Sequence, residues 1–432
     1  MRDHNELERA ALKNLLNDPQ TSREVPLLRG RNGQPLLVVA NALMMLRTAP
    51  EFQDVFAFDE SKSVITVRKP SPWSESRIVP FPWADEDDIR CAEWLQCHGL
   101  TVNPQIAGQA VRVIAREHGF HPIREYLDSL AWDGVPRLNS WLHVYLGVEQ
   151  SHYASAVGSR WMIQAVARVR KAGSKADTVL ILEGEQGTFK STALRTLADP
   201  WFTDAMPDVS TKDAMLQIQG VWIIELSELD SLHRSDISQI KAFISRATDR
   251  FRPPYGKHSI NVPRQCCFAG TTNQTDYFRD ETGNRRFWPV RCGMIDIAAL
   301  KCDRDQLWAE AQVRVQNGEV WWLDDRALIV AATKEQQDRY EGDPWDEPIR
   351  SFLEGRDSIG IEEILGQCLE KPKGSWTQLD KNRIARCLKS LGWKRHQKRE
   401  GESRKYRYLP PPMSPEVPPD SWTTDDGQTV DY

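Results

Sequence analysis

Nine consecutive residues, Gly184-Glu185-Gln186-Gly187-Thr188-Phe189-Lys190-Ser191-Thr192, combine glycine, lysine and hydroxyl groups in an order suited to holding phosphate. Four apolar residues, Val179 to Leu182, precede them as a buried strand, and an apolar-periodic stretch, Ala193 to Leu197, follows. Strand, glycine loop, Lys-Ser and helix are the parts of a phosphate-binding P-loop. Glycine lets backbone N–H groups turn onto phosphate oxygens, and the new helix offers its unsatisfied N–H groups and positive dipole end to the same anion. Lys190 would neutralise the terminal phosphates, and the Ser191 hydroxyl would hold Mg²⁺. The usual spacing is G-x-x-x-x-G-K-[ST]; here Phe189 stands where the second glycine belongs, and Gly187 lies three residues before the lysine.

Three further groups suit the same chemistry. The run Val221-Trp222-Ile223-Ile224 ends in Glu225 and, three residues on, Glu228. One acid at a strand end can hold Mg²⁺, and a second can polarise the attacking water. Alone, the pair equally suits a solvated strand-to-helix turn. Asn273 follows Gly270-Thr271-Thr272 at the tip of another apolar run, where an amide can sense a γ-phosphate or simply make a turn. Arg285 and Arg286, after Gly283 and before Phe287-Trp288, suit an arginine finger or a surface basic pair. Between them, Asp249 to Val262 reads as a hairpin with Tyr255-Gly256-Lys257-His258 at its tip. Lys257 and His258 suit a nucleic-acid backbone, or are ordinary solvated charges.

The elements that must position these residues alternate. The apolar runs at 179–182, 221–224 and 266–270 are separated by helical stretches at 212–219 and 237–248, which argues a parallel sheet covered on both faces. Upstream, helices are expected at 7–16, 35–46, 85–95, 106–118, 123–130, 138–146 and 153–171, with short strands at 56–58 and 64–68. Long helices are expected at 296–316 and 328–340. Residues 346–409 read as a winged helix, or else as a small basic packing domain or protein-interaction module: a short helix at 362–369, a basic helix at 378–391 carrying Lys381, Arg386 and Lys389, then two alternating strands around Glu400-Gly401.

Bulk composition narrows the class. At 432 residues, 40% hydrophobic and 27% charged, the chain is long enough for two or three domains with real cores. The longest apolar run, Pro35 to Leu46, contains Asn41 and is too short to span a bilayer. The polar start carries no signal peptide, so a cytoplasmic protein with no membrane partner is expected. Eight cysteines without C-x-x-C spacing read as reduced thiols. Cys91, Cys97 and His98 lack a matching second pair for a metal. The net charge of −5 hides a basic segment: Lys371 to Arg407 holds 13 Lys/Arg against 3 Asp/Glu. An acidic, proline-rich tail over 410–432 reads as disordered.

In their order, these motifs resemble the core of superfamily 3 helicases, a branch of the AAA+ ATPases, and most closely the virulence-associated E family of prophages and phage satellites. The residues that carry the resemblance are Gly184 to Thr192, Glu225-Leu-Ser-Glu228, Asp249 to Gly256, Val262 to Cys266, Gly270 to Asn273 and Glu281 to Val290. Trp132-Asp-Gly-Val-Pro-Arg-Leu138 is similar to this family's entry into its ATPase region. The resemblance implies an α/β, AAA+-like P-loop ATPase core over 131–345, behind a mostly helical region of unknown role over 1–130. It implies ATP and Mg²⁺ at Lys190 and Ser191, Glu225 and Glu228 as the acidic pair with Glu228 activating water, and Asn273 as the sensor. It further implies that Arg285 or Arg286 reaches a neighbouring subunit in a homo-oligomeric ring, and that Lys257 or His258 contacts single-stranded or forked DNA. Duplex DNA falls to the C-terminal domain. Larger relatives carry a primase in front; residues 1–130 are short for one, and no primase activity is expected. The resulting expectation is an ATP-driven, helicase-like motor in replication of a phage, prophage or satellite element. The alternative is a nucleotide-switched DNA-binding regulator or initiator that does not translocate.

Overall fold

The computed structural model describes residues 27–74, 77–206, 208–209, 211, 213–227, 234–252, 259–275, 277, 284–339, 343–400 and 403–411. Glu228, Lys257, His258, the expected helix at 7–16 and nearly all of the tail lie outside these residues. The chain divides into two compact units. One runs up to Thr275 and resumes over Arg285–Glu335; the other comprises Asp276–Asn284 and the chain from Gln336 onward.

Two hydrophobic cores can be traced among the described residues of the first unit. The smaller one gathers buried residues between Ala42 and Ala115. Here helices α1 (Val39–Thr48), α2 (Asp85–Cys97) and α3 (Pro104–Glu117) accompany a four-stranded sheet of order β3-β2-β1-β4. Its strands are β1 (Phe56–Asp59), β2 (Val64–Val67), β3 (Phe81–Pro82) and β4 (Gly119–Phe120). Helices outweigh strands among the described residues of this region, and the expected strands at 56–58 and 64–68 recruit two-residue partners from the proline-rich stretch and from the link after α3.

The larger core, from Ile123 to Ala332, surrounds a five-stranded, all-parallel sheet of order β11-β5-β10-β7-β6. Helices α4 (Pro122–Ser129), α5 (Trp141–Leu146) and α6 (His152–Arg170) lead into β5 (Val179–Glu183), all of whose residues are buried. Then follow α7 (Lys190–Ala198), β6 (Phe202–Thr203), α8 (Ala214–Gln217), β7 (Ile223–Leu226) and α9 (Arg234–Ile244). A hairpin of β8 (Thr248–Phe251) and β9 (Ile260–Pro263) precedes β10 (Cys267–Thr272). Strand β11 (Phe287–Arg291) and helices α10 (Ile297–Gln316) and α11 (Arg326–Gln337) complete the order.

Both faces of the sheet are covered, as continuous apolar strands require. Leu180, Leu182, Cys267 and Ala269 share one cluster with α6, α7 and α10. Phe268 points the other way and meets Phe243 of α9 edge-on at 6.1 Å. Three buried tryptophans lock the helices by finding carbonyls for their indole N–H groups: Trp161 donates to Phe268 O, Trp222 to Ala165 O and Trp308 to Leu197 O, at 2.8–3.0 Å. No helix among the described residues is long and apolar enough to cross a membrane.

The smaller core docks on the amino ends of β7 and β10. His121 Nε2 meets Gln265 Oε1 at 2.5 Å, and the Lys62 stem lies over Gly220. Gly220 has φ +75°, and a Cβ there would come within 2.3 Å of Lys62 Cγ, so both conformation and space demand glycine.

The second unit contains α12 (Asp346–Leu353), a turn of α-helix at Ile361–Glu363 continuing as a π-helix over Ile364–Cys368, and α13 (Gln378–Ser390). An antiparallel ribbon of β12 (Lys394–Glu400) and β13 (Ser403–Leu409) follows, with a bridge from Ile359 to Tyr408. Thr377 and Asp380 form a reciprocal capping box at the start of α13.

Candidate functional site

The site forms at the carboxyl ends of β5, β7 and β10. Connections leave this edge in opposite directions: after β5 the chain crosses to β6 at the far side, and after β10 it passes over β5 to β11. Such a switch point is where open α/β sheets bind ligands. A cavity of about 380 Å³ opens there, lined by Gln186 to Thr192, Ser227, Thr271, Thr272 and Asn273.

The loop after β5 turns at Gly187, with φ +83°, and again at Phe189, with φ +65°. Phe189 immediately precedes α7 and is 61% exposed. The position thus needs the left-handed conformation that glycine adopts freely, and Phe189 adopts it at a cost of about 1–2 kcal/mol.

Lys190, the first residue of α7, is buried and turns its ammonium back into the loop. Nζ donates to Gly184 O at 2.8 Å, Glu185 O at 2.7 Å, Thr188 Oγ1 at 3.3 Å and Asn273 Oδ1 at 3.1 Å. Burial pushes its pKa below the ordinary lysine value, against the pull of Cys292 and Glu225. The loop lysine and the strand-tip amide therefore meet across β5 and β10.

Ser191 Oγ donates to Glu225 Oε1 at 2.6 Å, and Thr271 Oγ1 donates to the same oxygen at 2.6 Å. Glu225 is fully buried, and its Oε2 has no hydrogen-bond partner among the described residues. A buried, unpartnered carboxylate oxygen beside a serine hydroxyl is a donor set for a hard divalent cation. Mg²⁺ is bound by one or two carboxylates plus substrate phosphates rather than by a full protein cage. Accordingly, the described residues contain no cluster of three or more His, Cys, Asp or Glu that could hold a metal. Thr271 joins this candidate site without belonging to a recognisable motif; its signal in the sequence is a hydroxyl two places before the strand-tip asparagine.

Arg285 and Arg286 lie elsewhere. They enter β11, whose first residue, Phe287, is in register with Val179 at the start of β5, whereas Arg291 pairs with Glu183 at its end. They therefore sit at the amino edge, roughly 13 Å of strand from the glycine loop. Arg286 Nε donates to Ser245 Oγ at 2.9 Å and lies 3.9 Å from Asp177 Oδ2, while Arg285 is exposed.

The β8–β9 hairpin is anchored at its base. Arg264 and Asp249, both 1% exposed, pair in a two-pronged contact, with Arg264 Nε 2.8 Å from Asp249 Oδ2. The guanidinium also bonds Phe243 O and lies over the Phe243 ring at 4.3 Å. In the second unit, Lys381 faces Glu362 at 3.9 Å, while Arg386 and Lys389 are exposed.

The family model for the virulence-associated protein E-like domain matches residues 127–341. No curated protein matches. Among solved structures, the apo NrS-1 C-terminal region (305–718) is 12% identical, with 82% of this chain and 95% of that chain covered and a TM-score of 0.46. An A-form apo structure of the NrS-1 C-terminal region is 14% identical over 66% of this chain and 77% of that one, with a TM-score of 0.38. Residues 127–341, the segment that builds the parallel sheet and its cavity, belong to the virulence-associated protein E family.

Proposed function

We propose that this protein is an ATP-hydrolysing, DNA-dependent motor of the helicase kind, acting in replication of a phage, prophage or satellite element. The observation that carries the reading is the convergence of Lys190, Ser191, Thr271 and Asn273 on one cavity at the switch point of a parallel sheet, with Glu225 hydrogen-bonded behind Ser191 and Thr271. Family membership supports the phage-type setting.

In this reading the loop Gly184–Phe189 and the N-terminus of α7 cradle the phosphates, and Lys190 moves from loop carbonyls onto the terminal phosphates. Ser191 and Glu225 would hold Mg²⁺, which would supply charge neutralisation on the transferring phosphoryl group. Asn273, already 3.1 Å from Lys190 Nζ, positions the attacking water at the γ-phosphate. Glu228 takes its proton; Ser227, next to it in the chain, lines the cavity. An arginine at the amino edge cannot reach its own subunit's loop, so Arg285 serves the site of the next subunit in a ring. Lys257 and His258, which lie between β8 and β9 in the chain, grip single-stranded or forked DNA. The C-terminal unit, a basic helix followed by a β-ribbon, is a winged helix for duplex DNA. The strained Phe189 favours a second reading, a slow nucleotide switch that does not translocate.

Steady-state ATPase with and without single-stranded and forked DNA, alongside Lys190→Ala, tests this. Lys190-dependent hydrolysis strongly stimulated by DNA supports the motor. Hydrolysis indifferent to DNA selects the switch, and no hydrolysis at all overturns both.

A further inference from the structure

The solvent face of α13 carries an unusual set of side chains. Asp380, Ile384, Cys387 and Leu388 face the core of the second unit. At 100° per residue, the opposite stripe is Gln378, Leu379, Asn382, Arg386 and Lys389, all exposed. The helix's other two cations are engaged inside the unit, Lys381 with Glu362 and Arg383 in a two-pronged pair with Asp343. Arg386 and Lys389 make no ion pair among the described residues, and the stripe holds no acid. Leu379, in the first turn, is 79% exposed although nothing local requires an apolar residue there. Gln378 Nε2 donates to Asn382 Oδ1 at 3.0 Å, which aligns two amides one turn apart.

We propose that this stripe reads base edges in the major groove of duplex DNA, so that the C-terminal unit recognises a particular sequence rather than any duplex. The proposal rests on the DNA-binding reading above and adds specificity to it. An amide suits adenine, arginine suits guanine, and an exposed leucine suits the thymine methyl group. All three chemistries lie on one face of a helix about 20 Å long, with the amides and the leucine in its N-terminal half, the end that enters the groove in helix-turn-helix docking. The surrounding charge fits a polyanion: Lys371 to Arg407 holds 13 basic against 3 acidic residues. On the ribbon, Arg395 stacks on half-exposed Tyr406 at 3.7 Å, a contact suited to the flanking backbone. Duplex RNA fits poorly, because its major groove is too deep and narrow for side chains to read.

The test is selection from a pool of randomised DNA duplexes with the full chain, followed by binding of the selected site against a scrambled duplex over a salt series. The expected result is one enriched sequence. Asn382→Ala and Arg386→Ala each weaken the selected site by about 10- to 100-fold and relax different base positions. Lys389→Ala weakens selected and scrambled duplexes alike and lowers the salt slope by about 1. All three positions are exposed, and unchanged thermal unfolding confirms that the variants fold. Salt-dependent binding with no enriched sequence overturns the specificity and leaves the DNA reading standing. No duplex binding by the full chain overturns both.

Discussion

Ser191 Oγ lies 2.6 Å from Glu225 Oε1, so the first turn of the helix after the glycine loop is tied directly to the end of the next-but-one strand of the sheet. Thr271 binds the same oxygen from the intervening strand, which fixes the carboxylate's rotation and leaves Oε2 free to accept. Serine and carboxylate are thereby held as one unit.

That unit makes a divalent-cation prediction. Ser191→Ala and Glu225→Gln should each lower turnover by roughly 100-fold or more, the scale of losing one preorganised charge-stabilising group. Both should raise the Mg²⁺ concentration needed for half-maximal activity. Thr271→Val should do the same by a smaller factor, about 10-fold, as expected for a group that only orients a ligand. A change in thermal stability with an unaltered Mg²⁺ requirement would mean that Glu225 merely ties strands together.

Phe189 makes a prediction of opposite sign. Its left-handed backbone costs about 1–2 kcal/mol, and glycine there would recover this less the roughly 0.5–1 kcal/mol of extra chain entropy that glycine loses. The side chain is mostly exposed, so little burial is forfeited. Phe189→Gly should therefore leave stability unchanged or raise it by up to about 1 kcal/mol, with nucleotide affinity retained or tightened. Calorimetric unfolding and nucleotide titration check this; weakened binding would show that the aromatic ring itself contacts the ligand.

The arginines separate by their surroundings. Arg286 is held within its own subunit by Ser245 and Asp177, whereas Arg285 projects from the amino edge. Arg285→Ala should abolish hydrolysis without changing unfolding temperature, and mixing it with Lys190→Ala should restore part of the activity, because one mixed interface keeps both groups. Arg286→Ala should lower stability and show no such rescue. Rescue by Arg286→Ala instead would exchange the two roles.

The parts of this arrangement legible in the sequence are those set by local pattern. Val179 to Leu182 reads as a strand because a parallel strand buried on both faces is continuously apolar, and Gly187, Lys190 and Ser191 read as a glycine loop opening a helix because the chemistry needs them within one short run. Strand β11 was hidden by Pro289, which forbids a central strand; β11 lies at the sheet edge, where proline is tolerated. The two-residue strands β3 and β4 are too short to carry a period. Thr271 could not be assigned because its bond to Glu225 depends on the register of β10 against β7, which no local pattern encodes.

His121 carries the final prediction, because it ties the amino-terminal core to the segment entering β10. Its neutral ring fits the surroundings: Nε2–H donates to Gln265 Oε1 at 2.5 Å, and Nδ1 accepts from Arg124 N at 3.3 Å. A proton on Nδ1 would face that N–H donor, and burial together with Arg124 holds the pKa below the ordinary histidine value despite the Gln265 bond. Below pH 6.5 the unfolded chain takes up a proton that the folded site resists, so the stability contributed by His121 is present at pH 7.5 and is lost as the pH falls through 6.5 toward the lowered folded value. His121→Gln removes this titration while keeping a polar group at the site. Urea midpoints at pH 7.5, 6.5 and 5.5 should show the natural protein more stable at the high end and the gap to His121→Gln narrowing on acidification. Parallel curves would mean that the contact between His121 and Gln265 does not titrate with folding.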